Sequence, residues 1–312
     1  MEIFDPYQNA DDGWLKGQLH VHTTRSDGAD PPDVVVRDYE ARGYDFMALT
    51  DHGKVPRPDD LETSSPMVVI PGEEYRCGSA SGNQELGVVG VDSDLPAGLD
   101  HSQYLDAAVA TGGFVMFNHP TWHIHHWPIF KMLKLRRAHA LEVYNAVCDH
   151  LPGAAECADK WDRLLTCGYR IWGVATDDAH RVEHRDRAWV MVSAEPDRRA
   201  IVDALKAGRF YASSGVRIDS VRLDGNVLRV ESPNAQEIRF FADRGSMRHR
   251  VMGSEAACEV REDDIYLRAE LYGPGAAKAW TQPVFVKSQR SRELAQEFHD
   301  WYVGQQKEIA TW

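Results

Sequence analysis

Two histidines one residue apart, His20 and His22, close the short run Trp14-Leu-Lys-Gly-Gln-Leu-His-Val-His22. In a β-strand, side chains two residues apart point to one face. Both imidazoles can therefore reach one point in space, as two ligands of one metal ion must. Four later apolar runs also end in metal-ligating residue types: Ala48-Leu-Thr-Asp51-His52, Val68-Val-Ile-Pro-Gly-Glu73-Glu74, Phe114-Val-Met-Phe-Asn-His119 and Gly173-Val-Ala-Thr-Asp177-Asp178-Ala-His180. One His-x-His pair is a weak signal. Five strand ends delivering histidine, aspartate and glutamate together predict a metal centre, because buried acids and imidazoles without partners are costly.

The elements that position these residues follow from the pattern between them. Apolar strand-like runs alternate with helical patterns from about residue 14 to about residue 195. Pro31-Pro32 opens a helical stretch through Arg42, closed by Gly43. Further helices are predicted over Leu99–Thr111, Ala154–Cys167 and Pro196–Ala207, each followed by glycine. This alternation predicts an α/β domain with a mostly parallel sheet. Ligand types at the C-terminal ends of strands are where a (β/α) barrel places its active site. An open doubly wound sheet is the structural alternative, but no Gly-x-Gly-x-x-Gly turn supports it. After Gly215 the runs become short and alternating, with Asp224-Gly225 as a hairpin signal. The expected organisation is a barrel over 1–215, a small antiparallel β accessory domain over 216–290, and a helical tail over 291–312. The accessory unit is expected to pack on the barrel through Trp280 and Phe285, or to form a homodimer, and to contribute no metal ligand.

Composition narrows the function classes. The chain has 312 residues, 43% of them hydrophobic, and a formal net charge of −13. That charge argues against a broad nucleic-acid surface and leaves a small-molecule substrate as the expected partner. The five cysteines form no Cys-x-x-Cys pair, which reads as free thiols in a reducing compartment. No signal peptide or membrane span is recognisable, so a cytoplasmic protein with no membrane partner is expected.

His20-x-His22, Ser26-Asp27-Gly28, Thr50-Asp51-His52-Gly53, Pro71-Gly72-Glu73-Glu74, Asn118-His119-Pro120 and Asp178-Ala-His180 together resemble the PHP (polymerase and histidinol phosphatase) superfamily over about residues 14–215. Glu142-Val-Tyr-Asn145, the run Ala204 to Tyr211 and Ala279-Trp-Thr-Gln-Pro283 make the chain most similar to its carbaryl-hydrolase-like branch. The resemblance implies a distorted seven-stranded (β/α) barrel, TIM-like in character, with two or three divalent ions of manganese, iron or zinc. It implies that His20 and His22 bind one ion with Glu74 and Asp178. Glu74 would bridge to a second ion held partly by His119, and Asp27, His52 and His180 would hold another. Glu74 is preferred to Glu73 because the family pattern is Gly-x-Glu. Asp51 would orient a ligand histidine. Gln84 stands where the family usually has a histidine after that motif. The tract His123, His125, His126 is the candidate substitute.

The implied chemistry is hydrolysis by a metal-bound hydroxide, with His52, Asp178 and His180 as the residues that handle the proton. Arg181, Arg209 and His123 are the candidate substrate contacts. A phosphoesterase acting on a small-molecule phosphate ester is the first expectation. Carbamate or aryl-ester hydrolysis at the same centre is the alternative, favoured by Trp122, Trp127 and Phe130. A catalytically degenerate metal-binding module is the second alternative.

Overall fold

The structure is a computed structural model describing residues 1–10, 13–56, 66–77 and 82–309. The chain opens with β1 (Ile3–Phe4) and β2 (Trp14–Gln18), followed by α1 (Pro32–Ala41), β3 (Phe46–Leu49), β4 (Val68–Arg76) and β5 (Glu85–Val89). Next come α2 (His101–Ala110), β6 (Phe114–Phe117), α3 (Ile129–Lys134), β7 (Ala140–Asn145), α4 (Ala158–Thr166) and β8 (Trp172–Thr176). Then β9 (Trp189–Ser193), α5 (Arg198–Ala207) and β10 (Phe210–Ser213) lead into β11 (Ser220–Asp224), β12 (Val227–Glu231) and β13 (Glu237–Ala242). β14 (Ser246–Met252), β15 (Glu255–Glu259), β16 (Tyr266–Tyr272), β17 (Lys278–Thr281), β18 (Val284–Val286) and α6 (Gln289–Ile309) complete it.

Strands β2 to β8 lie side by side in sequence order. The pairs β2–β3, β3–β4, β6–β7 and β7–β8 are parallel, whereas β5 runs antiparallel to both β4 and β6. Beyond the strands, the two ends of this curl meet at a parallel bridge between Val21 and Ala179, where the His22 amide donates to the Ala179 carbonyl at 3.0 Å. β3, β6 and β8 are buried along their whole length, which is why they read as continuous apolar runs rather than alternating ones. Strict strand–helix alternation fails at one place. β4 continues past Glu74 to Arg76 and turns back as β5, and no α-helix separates β3, β4 and β5 among the described residues.

The helix ends follow their sequence signals. Asp100 caps α2 in a reciprocal box with Gln103, and Gly208 closes α5 at φ 80°. The hairpin at Asp224 is shifted by one residue. Asp224 pairs with Val227, so Gly225 and Asn226 form the turn, with Gly225 at φ 63°.

The sheet does not stop at the barrel. β9 pairs with β2, β10 with β9, and β17 with β10, so the strands after Gly215 continue the same sheet. The first residues join this C-terminal part, since Ile3 pairs with Val286 and Phe4 with Phe285. β11, β12 and β15 form a separate three-stranded sheet. Trp280 is fully buried beside Tyr144, with ring centroids 5.8 Å apart, and Phe285 packs edge-on to Trp172 at 5.9 Å. Among the described residues, no helix is long and apolar enough to cross a membrane.

His139 is half-buried ahead of β7. Its Nδ1 accepts from the Val115 amide at 3.0 Å and its ring stacks on Phe114. Burial, with the charges of Lys206 and Arg137, lowers its pKa to about 4. An unfolded histidine titrates near 6.5, so this contribution to stability is complete above about pH 6.5 and is lost as pH falls towards 4. The expected loss is roughly 2–3 kcal/mol. Urea unfolding of His139→Gln at pH 7 and pH 4.5 should show a smaller acid penalty than the unaltered chain. An equal penalty would assign the acid sensitivity to other groups.

Candidate metal centre

His20 and His22 follow β2, His52 follows β3, Glu74 lies within β4, His119 follows β6, and Asp178 and His180 follow β8. All project from the C-terminal ends of the parallel strands. Thr50 holds the His20–His22 segment in register: its Oγ1 accepts from the Val21 amide at 3.0 Å and donates to the Val21 carbonyl at 3.2 Å. Gly28 lets the next loop close over it. A Cβ there would lie 2.5 Å from the His22 carbonyl. The loop so closed carries Asp27 across the face of His22. His119 and Asp178 both have positive φ, 29° and 52°, a conformation rare for non-glycine residues and concentrated at functional sites.

The structure brings all eight expected ligands together. His20 Nε2 and His22 Nε2 are 3.1 Å apart. Asp178 Oδ1 lies 3.3 Å from the first and 3.2 Å from the second, and Glu74 Oε2 lies 3.3 Å from each. Glu74 Oε2 is also 3.4 Å from His52 Nδ1, while its Oε1 is 3.0 Å from His119 Nε2. Asp27 reaches His22 Nδ1, His52 Nε2 and His180 Nε2, each at 3.5 Å. The floor of the site (His20, His22, Glu74, His119) is buried, and the rim (Asp27, His52, His180) is open, with Asp27 55% exposed.

Electrostatics at the floor favour positive charge. Burial opposes a charged imidazole, but Asp178, Glu74 and Glu142 outweigh it and hold His20 well above 6.5. Asp178 and Glu74 likewise lift His22 to about 10 against burial. Burial pushes the Glu74 carboxyl up, yet His20, His119 and His22 keep it well below the usual carboxylate range. Asp178 is lowered in the same way by His20 and His22. These acids hold protons on their neighbouring imidazoles, the same demand that a cation meets by displacing those protons.

The donor set fits a metal on a second observation. Asp178 Oδ1, His22 Nδ1 and His119 Nδ1 are buried and take part in no aligned hydrogen bond among the described residues. Donor atoms about 2.0–2.1 Å from one tetrahedral ion lie roughly 3.3–3.4 Å from each other. The separations of 3.1–3.3 Å among His20, His22 and Asp178 are close to that spacing, and Glu74 Oε2 lies 3.3 Å from both histidines.

Several expected roles change. Among the described residues, the Asp51 carboxylate shares no hydrogen bond with a candidate ligand histidine. It accepts from the Thr23 amide and hydroxyl, both at 2.8 Å, and from the Ser26 hydroxyl at 2.6 Å, so it shapes the loop that carries Asp27. The histidine partner is Glu142, fully buried, whose Oε1 is 2.7 Å from His20 Nδ1. Glu142 also accepts from Thr176 Oγ1 at 2.7 Å and Asn145 Nδ2 at 2.8 Å. Sequence reasoning noted Glu142 and Asn145 without giving them this role; their spacing at the end of an apolar run was the available signal.

Gln84 faces away from the site, donating to the His126 carbonyl at 2.9 Å and accepting from Lys131 at 3.2 Å. Its neighbour Glu85 points inward, 1% exposed, with Oε2 3.3 Å from His119 Nε2. Burial and the nearby Glu74 raise Glu85 to about 7. Arg209 lies beside Ser193 at the opposite, N-terminal end of the parallel strands, so it cannot serve this site. Arg185 is buried against Asp30 and Asp38. His123 is exposed and does not line the cleft. Trp127 is core, fully buried against Phe117, and His101 is buried against its ring. A cleft of about 360 Å³ over the candidate ligand residues is lined by Arg76, Arg181 and His184 on its polar side and by Trp122, Val147 and Leu151 on its apolar side.

The molecule is thus a mixed α/β protein with a His/Asp/Glu centre at the C-terminal rim of a curled sheet. No family model matches the chain, and no curated protein sequence is significantly similar to it. Among solved structures, it shares its fold with a two-domain protein from Bacteroides vulgatus containing a predicted PHP-like metal-dependent phosphoesterase. The match has a TM-score of 0.52 and 19% identity, and covers 84% of this chain and 91% of that one. A weaker match, with a TM-score of 0.40 and 14% identity, is an amidohydrolase from Chromobacterium violaceum with bound sulfate. It covers 53% of this chain and 88% of that one.

Proposed function

We propose that the chain is a metal-dependent hydrolase acting on phosphate esters of small molecules. The observation that carries this reading is the convergence of His20 Nε2, His22 Nε2, Glu74 Oε2 and Asp178 Oδ1 at 3.1–3.3 Å in a buried floor beneath an open cleft. These four residues would hold one divalent ion, Asp27, His52 and His180 another, and His119 with Glu74 a further one; manganese, iron and zinc all suit such mixed nitrogen and oxygen donors. Divalent ions so held would lower the pKa of bound water and polarise a substrate oxygen.

The residues of the chain supply the rest. Glu142 accepts a hydrogen bond from His20 Nδ1–H, which would leave the Nε2 lone pair for an ion at the centre. His52 and His180, both on the open rim, would place an attacking water through the ion they hold with Asp27. Arg76, Arg181 and His184 line the cleft where an anionic group would rest, and guanidinium groups suit phosphate oxygens. The apolar side of the cleft, Trp122, Val147 and Leu151, favours a second reading, an aryl-ester or carbamate substrate on the same centre.

A four-substrate comparison tests this: a phosphate monoester, a phosphate diester, an aryl ester and a carbamate, each with and without chelator. Phosphoester turnover should disappear on chelation and return with Mn, Fe or Zn, and Arg181→Ala should raise KM for the phosphoester about tenfold or more, the loss of one charge-assisted contact. Metal-sensitive turnover of the aryl ester or carbamate alone would replace the first reading with the second.

A further inference from the structure

We infer that Glu85 is itself a metal ligand, forming with Glu74 and His119 an oxygen-rich cation position that favours Mn2+ relative to zinc more than an imidazole ligand there would. This rests on the reading of the cleft as a metal centre and adds a ligand that the sequence motifs did not contain. The register of β5 places it. β5 pairs antiparallel with β4, so that Arg76 lies opposite Glu85 and Glu74 opposite Gly87. Side chains alternate along a strand. Leu86 therefore packs in the core, fully buried, while Glu85 enters the site and Gln84, just ahead of the strand, points out.

The carboxylate is held by Arg76 and flanked by His125. Arg76 Nε donates to Oε1 at 2.5 Å. Oε2 lies 3.0 Å from His125 Nδ1, which is also 2.5 Å from the Asn83 carbonyl. A carbonyl only accepts, so this nitrogen carries the proton and binds no ion through that atom. Glu85 Oε2 lies 3.3 Å from His119 Nε2, and Glu74 Oε1 lies 3.0 Å from the same nitrogen. His52, Glu74 and Glu85 each offer a donor atom within 4.8 Å of the others. Two buried carboxylates converging on one imidazole nitrogen repel each other unless a cation lies between them. Carboxylates suit Mn2+ better than they suit zinc, which shares its preference for imidazole with other late metals. The close approach of Glu85 thus sets which ion this position prefers.

The test measures metal content, not turnover. The full chain and its Glu85→Gln, Glu85→His and Gln84→Ala variants are stripped, loaded with Mn2+ and analysed for bound metal after gel filtration. They are then reloaded from an equal mixture of Mn2+ and Zn2+. Glu85→Gln should bind about one Mn2+ fewer per chain. Glu85→His should keep the ion count and shift the bound Mn/Zn ratio towards zinc by about tenfold or more. Gln84→Ala should match the unaltered chain. Unchanged Mn2+ content in Glu85→Gln, or an unchanged Mn/Zn ratio in Glu85→His, would overturn the assignment of Glu85. If Glu85→Gln fails to fold, the ratio in Glu85→His decides alone. An unaltered chain that takes up no Mn2+ at all would overturn the metal-centre reading itself, and this assignment with it.

Discussion

Glu74→Gln should remove metal from the centre and lower hydrolysis by at least about a thousandfold. Glu74 is the residue shared by most of the cluster. One oxygen lies 3.3–3.4 Å from nitrogens of His20, His22 and His52, and the other 3.0 Å from His119. It is held in place by Asn118, which donates to Oε1 at 2.8 Å. A glutamine keeps the shape, removes the charge and turns one acceptor into a donor. Losing even an outer partner of a metal ligand costs about 10–100-fold, and Glu74 lies among the candidate ligand atoms themselves.

Glu73→Gln is the matched control. Glu73 points to the Tyr104 hydroxyl at 3.3 Å and should keep metal content and most of the rate. Asp178→Asn should follow Glu74→Gln. Asp177 is a different case: it accepts from Tyr39 and from the amides of Asp186, Arg187 and Ala188, so Asp177→Asn should lose stability before it loses metal. Elemental analysis and turnover of these four variants check the order. Full metal and rate in Glu74→Gln, with loss in Glu73→Gln, would mean that β4 presents its other face to the site.

Arg268→Ala should cost about 3–5 kcal/mol of folding stability, the usual penalty for removing one partner of a buried charge pair. Arg268 on β16 is 1% exposed and forks onto Asp162 of α4, at 2.8 Å through Nε and 2.6 Å through Nη2. It also donates to Glu270 at 2.7 Å, and Tyr266 donates to the same Asp162 at 2.8 Å. Its guanidinium lies over the Trp161 ring, 4.8 Å from the centroid. This group ties the C-terminal strands to a barrel helix across the position where the sequence changes texture. Urea unfolding of Arg268→Ala, Asp162→Ala and the double variant should give a double loss well below the sum of the singles. A loss under about 1 kcal/mol for Arg268→Ala would show that the two parts of the chain hold together without it.

The site was largely readable in the sequence because its ligands end apolar runs, and a strand end fixes where the next side chain points. His20, His22, Glu74, His119, Asp178 and His180 all follow that rule. Glu85 did not, because it begins a strand instead of ending one. Whether Gln84 or Glu85 faces inward depends on pairing with Arg76 across a turn, and a slip of one residue exchanges the two faces. Asp51 was misassigned for a related reason. Its position beside His52 suggests a histidine partner, whereas the backbone aims it back at Thr23 and Ser26. Arg209 lies near the motifs in the family pattern but at the wrong end of the strands, and only the direction of β9 reveals it. The C-terminal strands were recognisable as strands. Their continuation of the barrel sheet through β10 and β17, and the return of Ile3 and Phe4 to pair beside β18, rest on contacts distant in sequence that local patterning does not encode.

The most direct measurement is the position of a bound ion, found by anomalous diffraction from crystals of the full chain loaded with Mn2+ or Zn2+ and compared with phosphoester turnover of the same preparation. The account predicts an ion between His20 Nε2, His22 Nε2, Glu74 Oε2 and Asp178 Oδ1, with turnover that rises and falls with its occupancy. Ions found only outside that cage, or full turnover in protein verified free of metal, would contradict it.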